Sequence, residues 1–195
     1  KNKNILGNQS YKKTINVNGC LNFYDIEIYN LYLNVFNSNC EDAINFVRTK
    51  GHISFAYITN SKFDSLDFDF SNVNIDKIHV NNSGNDCVDL SYGNYNIDNL
   101  FLSNCGDKGV SLGENSNLLT NNVDILNANI GIASKDFSKF FGKNSKINNV
   151  ETCVSAYNKK QEFSGGYIEI ANMDCQNYQN KYFKDNQSKI NFKIK

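Results

Sequence analysis

The chain has 195 residues, no formal net charge and a pI near 6.9. It is long enough for one domain with a core, and it carries no basic excess that would attract a nucleic-acid backbone. No apolar run approaches the roughly 18–20 residues that span a bilayer, which argues against membrane insertion. Since the chain lacks an initiating Met and a visible signal peptide, we interpret it as part of a longer protein.

Asparagine is the commonest residue, with 36 copies, while proline and tryptophan are absent. Asparagine is poor in helix interiors and frequent in turns. From the N-terminus onward, short stretches alternate apolar and polar residues, as in "INVNG", "IEIYNLYLNVF", "VNIDKIHV", "YIEIA" and "INFKIK". This period of two predicts many short strands and few helices.

The alternation recurs every 22 residues through the middle of the chain. Apolar residues stand at Ile44, Leu66, Val88, Val110, Ile132 and Val154. Two positions later the chain has Phe46, Phe68, Leu90, Leu112, Ser134 and Ala156, and between them stand Asn45, Asp67, Asp89, Ser111, Ala133 and Ser155. Each repeat is therefore a short strand whose first and third side chains point inward and whose second points outward.

An asparagine column supports the repeat. Asn60, Asn82 and Asn104 are also 22 residues apart, and Asn127, Asn149 and Asn172 continue them with one-residue slips. Asparagines stacked in register at a turn can hydrogen-bond along the stack.

A fixed period of 22 made of short strands predicts a solenoid. A leucine-rich repeat would need a leucine lattice, and a left-handed hexapeptide β-helix needs coils in multiples of six. We therefore predict an all-β, right-handed, single-stranded parallel β-helix of eight or nine coils forming one domain over 1–195. Within one coil the strands would be 88–90, 95–97 and 100–102, and segments 1–40 and 176–195 would be irregular terminal coils.

The six cysteines show no CxxC motif, and the chain has only two histidines, which argues against a zinc site. Cys87, Cys153 and Cys175 share one repeat position with Gly109 and Gly131, a position that favours small residues. A disulfide between the stacked neighbours Cys153 and Cys175 is one interpretation. The default expectation is small, buried, reduced cysteines.

Charged residues cluster on the predicted first strands. Asp42, Asp64, Asp86 and Lys108 precede successive strands, and stacked carboxylates repel, raise one another's pKa or recruit a cation. The other charged candidates are Asp67, Asp69, Asp89, Asp107, Glu114, Lys135 and Asp136. The alternative interpretation is structural: such aspartates cap turns, and acids beside lysines form a solvated, paired face.

Two phrases resemble those of the pectate-lyase-like superfamily of right-handed parallel β-helix proteins. "NDCVDL" resembles the Asn-Thr-Asp-Gly-Ile-Asp-Ile phrase of polygalacturonases, with Asp86 at the aspartate position. "DKGVSLG" resembles their Gly-His-Gly-Ile-Ser-Ile-Gly phrase, with Lys108 at the histidine position. The double-aspartate and Arg-x-Lys phrases are missing, so the resemblance implies the fold and a subgroup of unclear activity.

The resemblance to lyases implies a second chemistry. In those enzymes acidic residues hold Ca²⁺ against a uronate, and a lysine or arginine removes the adjacent proton. Here Asp64, Asp86 and Asp89 would supply the metal ligands, with Lys108 or Lys135 as base. On this basis the catalytic candidates are Asp86, Asp89 and Lys108, and the substrate-binding candidates are Asp67, Asp107, Glu114, Lys135 and Asp136.

Two functions remain open at this point. The first is a secreted or cell-surface domain that binds or processes an acidic polysaccharide along its first strands. The second is a non-catalytic adhesin, fibre or spacer domain that could self-associate through open β-helix ends. A glycan module should show its acids converging in a groove, whereas an assembly domain should show flat faces and should oligomerise. Fold alone does not separate them, because β-helices serve both purposes.

Overall fold

Thirteen parallel strands wind into one β-solenoid, and the computed structural model describes residues 17–193. The strands are β1 (Gly19–Tyr24), β2 (Glu27–Ser38), β3 (Asp42–Val47), β4 (Lys50–Ser61), β5 (Asp64–Asp69), β6 (Asn72–Ser83), β7 (Val88–Ser91), β8 (Asn94–Cys105), β9 (Lys108–Gly113), β10 (Asn117–Lys135), β11 (Lys139–Tyr157), β12 (Tyr167–Lys184) and β13 (Lys189–Phe192). Residues 1–16 and 194–195 of the predicted terminal coils lie outside the described residues.

Each coil consists of a short strand followed by a long one. The short strands β1, β3, β5, β7 and β9 pair in that order and continue into the end of β10, while β2, β4, β6 and β8 pair alongside and join its beginning. From β10 onward the long strand runs directly into the next short segment, so the last coils are built from β10, β11 and β12. The prediction of an all-β parallel solenoid with coils of about 22 residues and about 8 turns is confirmed, while its right-handed sense stays a prediction.

The predicted strand repeat is confirmed residue by residue. Ile44 pairs with Leu66, Leu66 with Val88 and Val88 with Val110. Ile132 pairs with both Val110 and Val154, so all six apolar positions form one inward column with no exposed surface. Their burial stabilises the fold by about 2 kcal/mol per side chain before the opposing chain entropy is counted. In the coil at residues 88–105, β8 carries the predicted second and third strands as one continuous strand.

Asparagines line one corner of the solenoid in the left-handed backbone conformation. Seven of them have φ between 52° and 62°: Asn37, Asn60, Asn82, Asn104, Asn127, Asn149 and Asn177. Asn82 Nδ2 donates to Asn60 Oδ1 at 3.0 Å, and Asn149 Nδ2 donates to Asn127 Oδ1 at 2.6 Å. The asparagine ladder is therefore confirmed with two exceptions. Asn104 Nδ2 donates to Asn81 Oδ1 at 3.1 Å rather than to Asn82, and Asn172 Nδ2 bonds Asn144 Oδ1 in a second ladder.

All six cysteines are paired, so the expectation of reduced thiols is wrong. Disulfides join Cys20 to Cys40, Cys87 to Cys105 and Cys153 to Cys175, with Cα–Cα distances of 5.3, 5.4 and 6.4 Å. The Cys153–Cys175 bridge, one interpretation of the sequence, is confirmed. Cys87 lies just before β7 and Cys105 at the end of β8, so their pairing is not visible within one repeat column. The three bridges are consistent with a secreted protein. No helix in residues 17–193 is long and apolar enough to cross a membrane.

The repeat changes length at both ends of the described chain. At the N-terminal end Gly19 pairs with Asp42, 23 positions on, and β2 has register shifts against β4, which explains why this coil leaves the repeat. At the other end Val154 pairs with Tyr182, 28 positions on, because segment 158–166 is inserted between β11 and β12. Cys175 consequently pairs in register with Ile147 rather than with Cys153, although the disulfide to Cys153 does form.

Candidate functional site on the first-strand face

The short strands and the segments that continue them form one solvent-facing strip, here called the first-strand face. Its central row contains Asn45, Asp67, Asp89, Ser111, Ala133 and Ser155, which are register partners on successive strands. Only Asp67 and Asp89 of this row are partly exposed, so the prediction that the row points outward is wrong for Asn45, Ser111, Ala133 and Ser155, which are buried. Because parallel strands lie ~4.8 Å apart, side chains in this row are close neighbours. The face therefore concentrates carboxylates on β5 and β7 and small residues from β9 onward.

Asp67, Asp69 and Asp89 form a carboxylate cluster on β5 and β7. Asn45 Nδ2 donates to Asp67 Oδ2 at 2.6 Å, while Asp89 Oδ1 is buried without a hydrogen-bond partner among the described residues. Burial first, and then the neighbouring carboxylates, Asp69 before the others, raise the pKa of Asp67 well above its usual range. Burial also raises the pKa of Asp69. Burial and mutual repulsion therefore raise the pKa of Asp67 enough to favour its protonated form near neutral pH.

Two members of the row of aspartates that precede the short strands, Asp64 and Asp86, accept hydrogen bonds from backbone N–H groups. Asp64 Oδ1 accepts from Asp86 N at 2.8 Å and from Asn85 Nδ2 at 2.7 Å, and Asp86 Oδ1 accepts from Lys108 N at 3.0 Å. These contacts are the turn-capping role of the structural alternative. Burial, followed by repulsion from Asp64, raises the pKa of Asp42 to about 7.

Asp86 and Lys108 form a buried pair at the centre of this row. Lys108 Nζ lies 3.4 Å from Asp86 Oδ1 and is also paired with Asp107. Burial raises the pKa of Asp86 to about 6 against the opposing charge of Lys108. Burial alone would lower the pKa of Lys108, but the two carboxylates outweigh it and raise that pKa above its ordinary value. A protonated Lys108 can hold negative charge, and it is poorly suited to accept a proton at neutral pH.

Lys135 is the second cation of the face. Only 5% of its surface is exposed, and its Nζ donates to Ser111 Oγ at 2.8 Å. No carboxylate within residues 17–193 lies in ion-pair distance of it. Gly113 lies beside it, since a Cβ built there would stand 3.8 Å from Lys135 Nζ. Within residues 17–193, the one side-chain neighbour in hydrogen-bond distance of the buried Lys135 is therefore the Ser111 hydroxyl.

Two further predicted site residues hold the inserted segment 158–166. Glu114 pairs with Lys160 and accepts from Ser91 Oγ at 2.6 Å, and these bonds keep its pKa below its ordinary value despite burial. Asp136 is fully buried, and its Oδ1 accepts from the backbone of Lys159 and Lys160. Asp136 therefore positions backbone and does not face solvent, in contrast to its predicted role in substrate contact.

The three predicted calcium ligands do not form a cage. Asp64 and Asp86 each commit an oxygen to backbone hydrogen bonds, and Asp89 lies on the neighbouring row. Among residues 17–193 no three His, Cys, Asp or Glu side chains are grouped so that they could hold a metal ion. Because the donor sets do not fit as they stand, no step is assigned to a metal.

Exposed aromatic rings at one edge of the face were missed by the sequence analysis. Phe70 and Tyr92 follow the ends of β5 and β7, their rings stack at 4.6 Å, and they are 47% and 41% exposed. Phe163 of the inserted segment packs against Tyr92 and Phe137 at 6.3 and 5.9 Å. Phe70 and Tyr92 are 22 residues apart, so the repeat itself indicates that they stack on successive coils.

Surface cavities are open and shallow. A cavity of about 370 Å³ lies at the C-terminal end of the first-strand face, lined by Ile130, Thr152, Ser155, Tyr157, Asn180, Tyr182 and Phe183. A larger one of about 740 Å³ lies on the long strands around the second asparagine ladder and includes none of the predicted site residues. We give more weight to the first-strand face because the buried charges lie there, and an open strip suits a chain-like ligand.

Comparison with protein-family models, curated proteins and solved structures finds no match for the chain.

Proposed function

We propose that this protein is an extracellular domain that binds an anionic polysaccharide along its first-strand face. The observation that supports the proposal most is that the Asp67–Asp69–Asp89 cluster shares this face with the buried Lys135, whose Nζ donates to Ser111, the register partner of Asp89. A protonated carboxyl can donate and accept hydrogen bonds, so the cluster can bond sugar hydroxyls. Protonation also weakens repulsion of an acidic chain, and Lys135 attracts its charge.

The same arrangement suits cleavage of the bound chain. Asp67 and Asp89 are register partners on adjacent strands, and glycoside hydrolysis uses two carboxyl groups of different protonation. A pectate-lyase-like relationship would fit this use of the first strands, and the disulfides fit a location where such glycans occur. Binding is the first proposal, and cleavage is an extension of it.

Affinity electrophoresis tests binding directly. The wild type is run in native gels that contain polygalacturonate, alginate, hyaluronate or uncharged dextran. We expect retardation by at least one anionic polymer and none by dextran. The variants Asp67→Ala with Asp89→Ala, and Lys135→Met, should lose most of that retardation. Asp124→Ala, on the long strands, is the matched control and should migrate like the wild type.

Unchanged retardation of both first-strand variants would overturn the proposed location of the site. Cleavage is followed in the same samples by new reducing ends, which report hydrolysis, and by ultraviolet absorbance of unsaturated products, which reports a lyase reaction.

Calcium at Asp64, Asp86 and Asp89 stays a prediction for this face. A thermal-shift titration with Ca²⁺ and a chelator tests it, because a ligand of the folded state raises the melting temperature increasingly as its concentration exceeds its Kd. A chelator-sensitive rise that disappears in Asp86→Asn would support the metal. No shift at millimolar Ca²⁺ would remove it.

The assembly function is the second candidate, favoured by the shallow cavities and the axial ladders of asparagine. A spacer or fibre domain needs a stiff solenoid with regular strand pairing, and it does not need a ligand-binding site. Sedimentation across a concentration series separates the two functions. Concentration-dependent oligomers without polysaccharide binding would favour assembly, whereas a monomer that binds would favour the glycan proposal.

A further inference from the structure

Both corners of the solenoid contain residues with positive φ, but the residue types differ between the two corners. At the corner after the long strands, all seven left-handed positions named above carry asparagine, the non-glycine residue best suited to positive φ. At the corner after the short strands, the left-handed positions are mixed: Asp25, Glu114, Asn115 and Asp136 share it with Arg48, Phe70, Tyr92 and Phe137, the last four with φ of 53°, 52°, 50° and 64°. Bulky side chains in this conformation are uncommon and cost about 1–2 kcal/mol each.

The strained backbone does not place these aromatic side chains in the hydrophobic core. Phe70, Tyr92 and Phe137 are all more than 40% exposed, and their rings point away from the inward columns. In a chain that places asparagine at every equivalent position of the other corner, aromatic residues here indicate that the ring itself is used. Strained backbone that presents an exposed side chain is a recurrent property of binding sites.

The four rings form one surface, here called the corner platform and defined by Phe70, Tyr92, Phe137 and Phe163. Phe70 and Tyr92 lie nearly parallel, with an angle of 7° between their planes, and Phe163 connects Tyr92 to Phe137. The platform runs along the solenoid axis at the edge of the first-strand face. Because it is about one side chain wide, it fits an extended chain better than a globular protein, which needs about 800 Å² per partner.

The inserted segment 158–166 is built to hold its part of the platform. Asn158 Nδ2 donates to the carbonyls of Lys160 and Phe163, and Phe137 N donates to the carbonyls of Ser164 and Gly165. Together with the Asp136 contacts, these bonds fix the backbone on both sides of Phe163. The insertion is thus a well-bonded element that brings a fourth ring to the corner.

Cations stand at both ends of the stacked pair. The Arg48 guanidinium lies 5.8 Å from the Phe70 ring, and Arg48 Nη1 donates to Tyr24 Oη at 2.6 Å. Arg48 is exposed and has no carboxylate partner among residues 17–193. On the Tyr92 side stands Lys160, 42% of whose side chain is exposed and whose charge is paired with Glu114. Arg48 beside two stacked rings is complementary to a sugar chain that carries acidic groups.

We propose that the corner platform is a second binding strip for the same ligand, in which Phe70 and Tyr92 stack on the sugar rings of an anionic polysaccharide and Arg48 pairs with its carboxylate or sulfate groups. This inference rests on the proposed function and extends it to residues outside the acid cluster. Aromatic rings give large contact area with little side-chain entropy to lose, and the arginine provides orientation.

The test replaces each ring by asparagine, which suits the left-handed backbone conformation but cannot stack on a sugar. Phe70→Asn and Tyr92→Asn place the preferred left-handed residue at each position, so the melting temperature should stay near that of the wild type. Affinity for the retarding polymer, polygalacturonate or alginate, should fall about tenfold for each. Tyr92→Phe should retain affinity, and Tyr32→Asn, at a 70% exposed ring on another face, is the matched control.

Charge is tested separately from stacking. Arg48→Gln should weaken binding of the anionic polymers and reduce its dependence on salt, since exposed charge pairs are screened by ions. Loss of binding in Lys135→Met with full binding in Phe70→Asn and Tyr92→Asn would overturn the corner platform and leave the proposed function intact. Loss in the asparagine variants with full binding in Lys135→Met would support the platform and overturn the first-strand site. A wild type that no polymer retards would overturn both.

Discussion

At the scale of single residues, the asparagine corner shows how one side chain meets two requirements. Asn82 has φ of 62°, and its amide bonds Asn60 in the coil before it. Alanine at this position would lose the bond and strain the backbone, whereas glycine would lose only the bond. We expect Asn82→Ala to lower the free energy of unfolding by about 2 kcal/mol and Asn82→Gly by about 1 kcal/mol. Equal losses in urea denaturation would show that backbone strain is not the reason for asparagine.

Asp42 should make stability depend on pH. Its pKa is about 7 in the folded protein against an ordinary value of 3.8. Between these values the folded state holds the proton and the unfolded state releases it, so the free energy of unfolding falls as pH rises from about 4 to about 7. Asp42→Asn should therefore be more stable than the wild type at about pH 8, by roughly 1 kcal/mol, and equal to it near pH 4. Urea denaturation at both pH values measures this, with Asp124→Asn as control, and a loss of stability at both would contradict it.

Residue identity was enough to predict some contacts and not others. The acids of Asp67 and Asp89 were predicted as neighbours because strand register depends on period alone. The burial of Asp136 and its bonds to Lys159 and Lys160 could not be predicted, because they depend on where an insertion folds back. A sequence shows which repeat positions carry charged residues, but it does not show whether a charged side chain at a corner points to solvent or to the protein interior.

At the scale of strands and corners, the disulfides are the strongest single constraints. Cys87 and Cys105 are 18 residues apart, and both are buried. Closing a loop of this size should stabilise the fold by about 3 kcal/mol, chiefly by restricting the unfolded chain. We expect Cys87→Ala with Cys105→Ala to lower the free energy of unfolding by that amount under oxidising conditions.

Reductant provides the control for the disulfide prediction. It should lower the urea midpoint of the wild type, and it should lower that of the double variant less. Equal midpoints for the wild type with and without reductant would show that the bridges contribute little.

The disulfides also show where a repeat misleads. Cys175 follows Cys153 by 22 residues and therefore seemed to be stacked on it, but the insertion lengthens that coil and moves Cys175 to the next strand's long segment. The bridge was predicted for a wrong reason. Cys87 and Cys105 escaped prediction because they lie on different sides of a corner, a relationship that has no period.

At the scale of the whole molecule, each coil contacts mainly the coils before and after it. Lys50 is the register partner of Asn72, so removing 50–71 joins Thr49 to Asn72 without changing the register or any disulfide. We expect this deletion to yield a folded solenoid one coil shorter, since stability in repeat proteins is close to a sum over neighbours. Removing 50–60, half a coil, should prevent folding. Circular dichroism and thermal unfolding of both variants check this, and equal behaviour would contradict it.

The architecture was the most predictable level because it depends on many weak signals that agree. Six apolar positions at one period were sufficient for the strands of the central coils. The ends were harder, since a single extra residue between Gly19 and Asp42 removes the match while leaving the pairing intact. The whole corner platform could not be predicted, because it combines three corner residues with a ring from an insertion that interrupts the repeat.

The last disulfide has a consequence for how the chain would survive cleavage. Segment 158–166 is an irregular connection between Cys153 and Cys175, and it exposes Gln161 and Glu162 between its bonded ends. A cut there would leave the C-terminal coil covalently attached to the rest of the molecule. A nicked protein should therefore run as one species in a denaturing gel without reductant and as two fragments with it, and it should keep its ligand as long as the parallel strands on either side of the cut stay paired.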